Sequence, residues 1–134
     1  MAVFSHNGRN IAYQSEFAPF NHDLILLQSS QFNPDFWRPV LEDLRLEAPA
    51  GGRVITCEWH DSKRGEDGLA EDLSALMHTL GLRSLHVVAC GDAAAAAGEV
   101  ARKTPSRFEK TLFYTAAVPR GDELVRAIRE FART

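Results

Sequence analysis

Residues 85–98 read Leu-His-Val-Val-Ala-Cys-Gly-Asp-Ala-Ala-Ala-Ala-Ala-Gly, and this stretch decides the fold. The first six residues are a short, mostly apolar run, which predicts a buried strand. Gly91 permits a sharp turn, and a helix is predicted over Asp92–Lys103. Its five alanines, at 93–97, favour a helix and are small enough to let it lie close to the sheet. A strand that passes directly into a helix is the repeating unit of an α/β fold.

The same alternation of strand and helix extends along most of the chain. Strands are predicted at residues 2–6, 10–17, 23–28, 53–59, 85–90 and 111–115. Asn7-Gly8-Arg9 predicts a hairpin turn between the first two strands. From residue 23 onward the strands alternate with helices, which favours parallel pairing. We therefore expect one α/β domain over residues 1–134, a three-layer sandwich with a mostly parallel sheet of about six strands.

The remaining helices are predicted from caps and apolar spacing. Asn33-Pro34-Asp35 is expected to begin the first helix, since Asn caps, Pro suits the first position and Asp favours the positive end of the dipole. A polar loop from His60 to about Gly68 precedes the second, which Gly81 is expected to end. The last helix is expected over about Asp122–Arg133.

The composition excludes several classes of function. The chain has 134 residues, 45% of them hydrophobic, and a net charge of −3, which gives no basic surface for nucleic acid. No window is apolar enough to span a bilayer, and the amino terminus lacks the pattern of a secretion signal. Cys57 and Cys90 could form a disulfide, but two buried thiols in a reducing cytoplasm are favoured. The expected localisation is cytoplasmic.

Taken in order, these elements resemble the N-terminal half of an α/β-hydrolase. The residues that carry the resemblance are Leu24–Gln28 (third strand), Phe36–Leu41 (the helix after it), Arg53–Ile55 (fourth strand), Leu69–Leu82 (the next helix) and Thr104–Leu112 (the segment before the sixth strand). In that family a strand–turn–helix corner, the nucleophile elbow, carries the pattern G-x-S-x-G. Here the five positions are Ala89-Cys90-Gly91-Asp92-Ala93, so glycine occupies the position of the nucleophile.

The resemblance implies that the family's chemistry is lost. Gly91 has no side chain with which to attack a substrate. The oxyanion loop, which usually reads His-Gly, here reads Gln28-Ser29-Ser30. The triad's acid and histidine follow on later strands in the family, so a truncated domain would lack them. The expectation is a pseudoenzyme without triad hydrolase activity.

Other residues could supply chemistry, and each has a structural alternative. Cys90 lies near a helix N-terminus, which lowers a thiol pKa, but its position before the apex predicts a side chain packed in the core. His86 is expected to be a hydrogen-bonded core histidine, and His22 a surface or strand-end residue. His60-Asp61 follows Cys57-Glu58, a spacing that matches no established metal site. No metal and no cofactor are predicted.

A crevice at the strand carboxyl ends is where open α/β sheets bind ligands. Residues that would line it are Gln28, Ser29, Trp59, His60, Cys90 and Gly91. The alternatives to a non-catalytic role are thus a small-ligand receptor that uses this crevice, or a cryptic hydrolase that uses Cys90 or His60.

The predicted sixth strand, Thr111–Thr115, would lie at the edge of the sheet with unpaired backbone groups. A homodimer through this strand or through the C-terminal helix would cover the edge, as would the helix of the same chain. We expect a protein that acts through protein–protein contacts, as a homodimer or with another protein, in a regulatory or scaffolding role.

Overall fold

The computed structural model describes residues 2–6, 9–29, 35–59, 65–81, 85–103, 108–114 and 118–133. Its six strands are β1 (Ala2–His6), β2 (Arg9–Phe17), β3 (Asp23–Ser29), β4 (Arg53–Trp59), β5 (Leu85–Cys90) and β6 (Phe108–Tyr114). They form one sheet in the order β1-β2-β4-β3-β5-β6. β1 and β2 are antiparallel to their neighbours, whereas β3 to β6 are all parallel. The predicted mostly parallel sheet is confirmed.

Alternate residues of the parallel strands face two separate hydrophobic cores. Ile25 and Leu27 of β3 belong to the first core, together with Ile55 and Val87. Leu24 and Leu26, on the opposite face of the same strand, belong to the second. Because β3 is buried on both faces, its sequence is a continuous apolar run rather than an alternating one.

Within the described ranges, two helices cover each face of the sheet. The helices are α1 (Arg38–Leu44), α2 (Gly65–Thr79), α3 (Asp92–Lys103) and α4 (Asp122–Arg133). Leu73, Leu76 and Met77 of α2 and Ala93, Ala94 and Ala97 of α3 lie in the first core. Val40 and Leu41 of α1 and Leu124, Ile128 and Ala132 of α4 lie in the second. The architecture is the predicted three-layer sandwich.

The start of α1 differs from the prediction. The helix begins at Arg38, with Trp37 at the cap position and Pro39 in the first turn, whereas Asn33 and Pro34 lie outside the described residues. Proline lacks an N–H and clashes with the carbonyl four residues earlier, so it is tolerated only in a first turn. A helix begun at Pro34 would have placed Pro39 in its interior, which explains the later start. Trp37 packs in the second core, as predicted.

Two other boundaries also differ. α2 begins at Gly65, within the loop predicted to run to about Gly68, and β6 begins at Phe108, three residues before its predicted start. Thr115 lies outside the described residues. Gly81 follows α2 with a φ of 71°, the left-handed conformation expected of its cap.

Ion pairs attach α1 to its surroundings. Arg129 of α4 binds Asp43 of α1 through two guanidinium nitrogens. Arg45, directly after α1, donates two hydrogen bonds of 2.7 Å to the carboxylate of Glu16 on β2. The guanidinium groups of both pairs are exposed, so solvent screens the attraction and each pair contributes little to stability.

Cys57 and Cys90 are both buried, and they do not form a disulfide with each other. Cys57 lies in the first core and Cys90 in the second, so the sheet separates the two thiols. Among the described helices, none is both long and apolar enough to cross a membrane.

Gly52 lies close to the backbone of Phe20 and His22. Its N–H donates to the Phe20 carbonyl at 2.8 Å. A Cβ atom on Gly52 would overlap the carbonyl oxygen of His22 and lie 2.6 Å from that of Phe20. Both obstacles are backbone atoms, which cannot rotate away.

We predict that Gly52→Ala lowers the free energy of unfolding by at least about 2 kcal/mol, measured by urea denaturation. Gly98→Ala is the matched control, because a Cβ there would meet only the Phe113 ring at 4.0 Å. In a helix this control should be neutral or stabilising by up to about 1 kcal/mol. Equal midpoints for the Gly52 variant and the unmodified protein would contradict the packing described.

Candidate functional site

The carboxyl ends of three parallel strands bring most of the predicted site residues together. Gln28 of β3 is in register with Glu58 of β4 and with Cys90 of β5. Ser29 is in register with Trp59. His60 lies outside the described residues, as do the side chains of Ser29 and Trp59.

The turn after β5 has the sharp geometry that the sequence predicts. Gly91 adopts a φ of 70°, which L-amino acids with a side chain rarely adopt. Its N–H donates to the carbonyl of Tyr114 at 2.8 Å, and its own carbonyl accepts from Ala94 at 3.0 Å. The turn is therefore held to β6 on one side and to the first turn of α3 on the other. Its apex bears no side chain.

Cys90 is a core residue. Its side chain is 0% exposed and lies in the second core with Val88. Burial raises the pKa of the Cys90 thiol to about 12, so at neutral pH it is not the thiolate that a nucleophile requires. The prediction that this side chain points into the packing is confirmed.

Gln28 lies on the same face of the sheet as Cys90 and is 2% exposed. The two described polar side chains of the predicted crevice are thus directed into the layer between the sheet and α1 and α4. Contact of Gln28, Ser29, Trp59, His60, Cys90 or Gly91 with a ligand stays a prediction. The described residues contain no group of three or more His, Cys, Asp or Glu side chains placed to hold a metal ion.

The histidines show what the sequence did not reveal. His86 is buried, as predicted, with 3% of its surface exposed. The expectation that it is hydrogen-bonded is wrong, because neither ring nitrogen has a hydrogen-bond partner within the described part of the chain. Its ring instead stacks on that of His22, with centroids 3.8 Å apart. This contact joins residues 64 positions apart through the pairing of β3 with β5, so no local sequence signal could identify it.

Solved structures that superpose on this chain include α/β-hydrolases. AqDC, which cleaves the ring of the Pseudomonas quinolone signal, superposes with a TM-score of 0.71 at 20% identity, over 96% of this chain and 51% of its own. A carboxylesterase structure from Nitrososphaera gargenis superposes with a TM-score of 0.70 at 18% identity, over 99% of this chain and 53% of its own. An α/β-hydrolase from a Medee basin deep-sea metagenome superposes with a TM-score of 0.68 at 14% identity, over 84% of this chain and 43% of its own.

No protein-family model matches the chain, and a search of curated proteins found no match. The chain spans about half the length of the solved structures it resembles. The sequence prediction is confirmed at the level of the fold: the described residues have the fold of about half of an α/β-hydrolase structure, with Gly91 at the apex of the turn after β5.

We predict that Cys90 resists alkylation in the folded protein. A Cys57→Ala variant isolates this thiol, and iodoacetamide at about pH 8 should leave it unmodified, because burial disfavours the thiolate. The same variant in urea should be fully modified, as intact-mass spectrometry would show. Stoichiometric modification of the folded variant would mean that Cys90 is accessible.

Proposed function

We propose that this protein does not act as a triad hydrolase and works through protein–protein contacts, with a second copy paired along the edge of β6. The observation that carries the first part is the glycine at the apex of the strand–turn–helix corner. In an α/β-hydrolase this apex presents the attacking hydroxyl, and Gly91 presents none.

The neighbouring side chains offer no replacement. Cys90 is buried, with its thiol pKa raised to about 12 by desolvation. The three histidines whose side chains the structure describes do not reach the turn, because His22 and His86 lie at the amino-terminal end of the parallel strands and His78 lies in the last turn of α2. A general base for a hydroxyl at Gly91 is therefore not supplied by these groups.

The contact surface is argued from the open edge of β6. In the described part of the chain, β6 pairs with β5 and has no second neighbour. α4 does not cover this edge, since its buried residues pack on the face of the sheet with Leu112 and Tyr114 beside them. Unpaired strand edges are either protected or used for pairing.

The direction of the β6 backbone groups follows from one hydrogen bond. The Tyr114 carbonyl accepts from Gly91 and so points towards β5. Residues two apart share this direction, so the backbone of Leu112 also faces β5, whereas that of Thr111 and Phe113 faces outward. The regular part of the strand, Lys110–Tyr114, contains no proline and carries one charge. Two such strands related by a two-fold axis could pair antiparallel.

We predict that the protein and its Gly91→Ser variant both hydrolyse a panel of carboxylic esters no faster than buffer alone. A serine restores the nucleophile but not the base or the glycine-containing oxyanion loop. A triad esterase assayed beside them checks the substrates. Hydrolysis by the unmodified protein that is lost on Cys90→Ala or His60→Ala would instead establish a cryptic hydrolase.

We predict a dimer in sedimentation equilibrium, which Thr111→Pro weakens at least about tenfold in Kd. Proline removes an outward N–H without removing a bond to β5, so the fold should be retained. Thr111→Val has a similar shape and keeps the N–H, and is expected to dimerise like the unmodified protein. A monomer up to the solubility limit would overturn the proposed pairing, as would an unchanged Kd in the proline variant.

A further inference from the structure

Four aromatic rings form a continuous stack at the amino-terminal end of the parallel strands, the end opposite to Gly91. The Phe20 and His22 centroids are 4.3 Å apart, with the rings 14° from parallel. The His22 and His86 centroids are 3.8 Å apart, at 24°. The last of the four rings is Phe131 of α4. Its centroid lies 5.5 Å from that of His86, and the two ring planes are 73° apart. We call this arrangement the four-ring stack.

The stack accommodates its two imidazoles in their neutral form. Both ring nitrogens of His86 and Nε2 of His22 are buried without a hydrogen-bond partner among the described residues. A protonated imidazole carries two N–H donors and a charge, and both are costly to bury without partners. Two protonated rings at 3.8 Å would also repel each other.

The charged groups around the stack do not reverse this preference. Glu109 and Asp23 favour a charged His22 and Lys110 opposes it. Asp23 is already engaged by Arg53, whose backbone N–H donates to it at 3.1 Å and whose guanidinium lies 3.6 Å away. Desolvation is the largest effect and lowers the pKa of both histidines below 6.5.

The element that closes over His86 is α4. Phe131 meets the imidazole edge-on, and Ile128 and Ala132 pack in the same core. Phe131 is the member of the four-ring stack that α4 contributes, and its ring contacts that of His86. Arg129, on the same helix, donates a hydrogen bond to the carboxylate of Asp43 on α1. A helix can separate from the sheet face without breaking the hydrogen bonds between strands, so α4 can open before the sheet does.

We propose that the four-ring stack is an acid-sensitive latch, in which protonation of His22 and His86 releases α4 from the sheet. With α4 packed, the histidines bind protons more weakly than an exposed imidazole. The stability of the closed form is therefore complete above about pH 6.5 and decreases as the pH falls through that value. The proposal does not depend on how the β6 edge is used.

Hydrogen exchange of α4 at pH 7.5 and 5.5, corrected for the intrinsic rates, tests the latch. Each histidine that titrates only in the open form raises the opening constant by up to about tenfold between these values. We expect an increase of more than tenfold in α4, and a much smaller one in β3 and β5. Carboxylates titrate near pH 4 and stay ionised in this range.

The matched variants separate the stack from general acid effects. His22→Phe keeps a stacked ring but removes one proton site, so its increase should fall to about tenfold or less. His78→Gln removes an exposed histidine on α2 and should behave like the unmodified protein. Equal α4 exchange at both pH values in the unmodified protein would overturn the proposal. So would an undiminished response in His22→Phe, or a pKa at or above 6.5 for both stacked histidines by NMR titration.

Discussion

The burial of both faces of β3 is the constraint on which the other elements depend. Leu24, Ile25, Leu26 and Leu27 have no exposed surface, so neither face of the sheet can be left to solvent. Helices must therefore cover both sides. Because β3 to β6 are parallel, the turn from each of these strands to the following helix lies at the carboxyl-terminal end of the sheet. The position of Cys90, directly before Gly91, beside Gln28 follows from that order rather than from any local attraction.

Local patterns predicted most of the fold because the elements match their own sequences. β5, α3 and α4 have the predicted limits, and Ala93, Ala94 and Ala97 pack in the first core as expected of small residues. The start of α1 could not be predicted from its cap signal, because Pro39 limits how far the helix extends towards Asn33. The early start of β6 depends on pairing with β5, which a local apolar run does not report.

The candidate site was predictable only in part. The register of the parallel strands places Gln28, Ser29, Trp59 and Cys90 together at the carboxyl-terminal end of the sheet. This grouping can be predicted once the strands are recognised. The direction of Gln28 and Cys90 into the second core depends on which face each strand presents. The stacking of His22 on His86 depends on a contact between distant segments, and a histidine in a strand carries no signal for it.

The small residues of α3 connect the packing of a helix to the geometry of a turn. Ala93, Ala94 and Ala97 are almost completely buried against the sheet, so the helix has no space for a larger group there. A bulkier residue would push the helix axis outward, and α3 begins at the residue after Gly91. The displacement would then reach a turn that no substituted atom touches. A larger residue at any of these alanines would therefore disturb the position of Gly91 as well as the core.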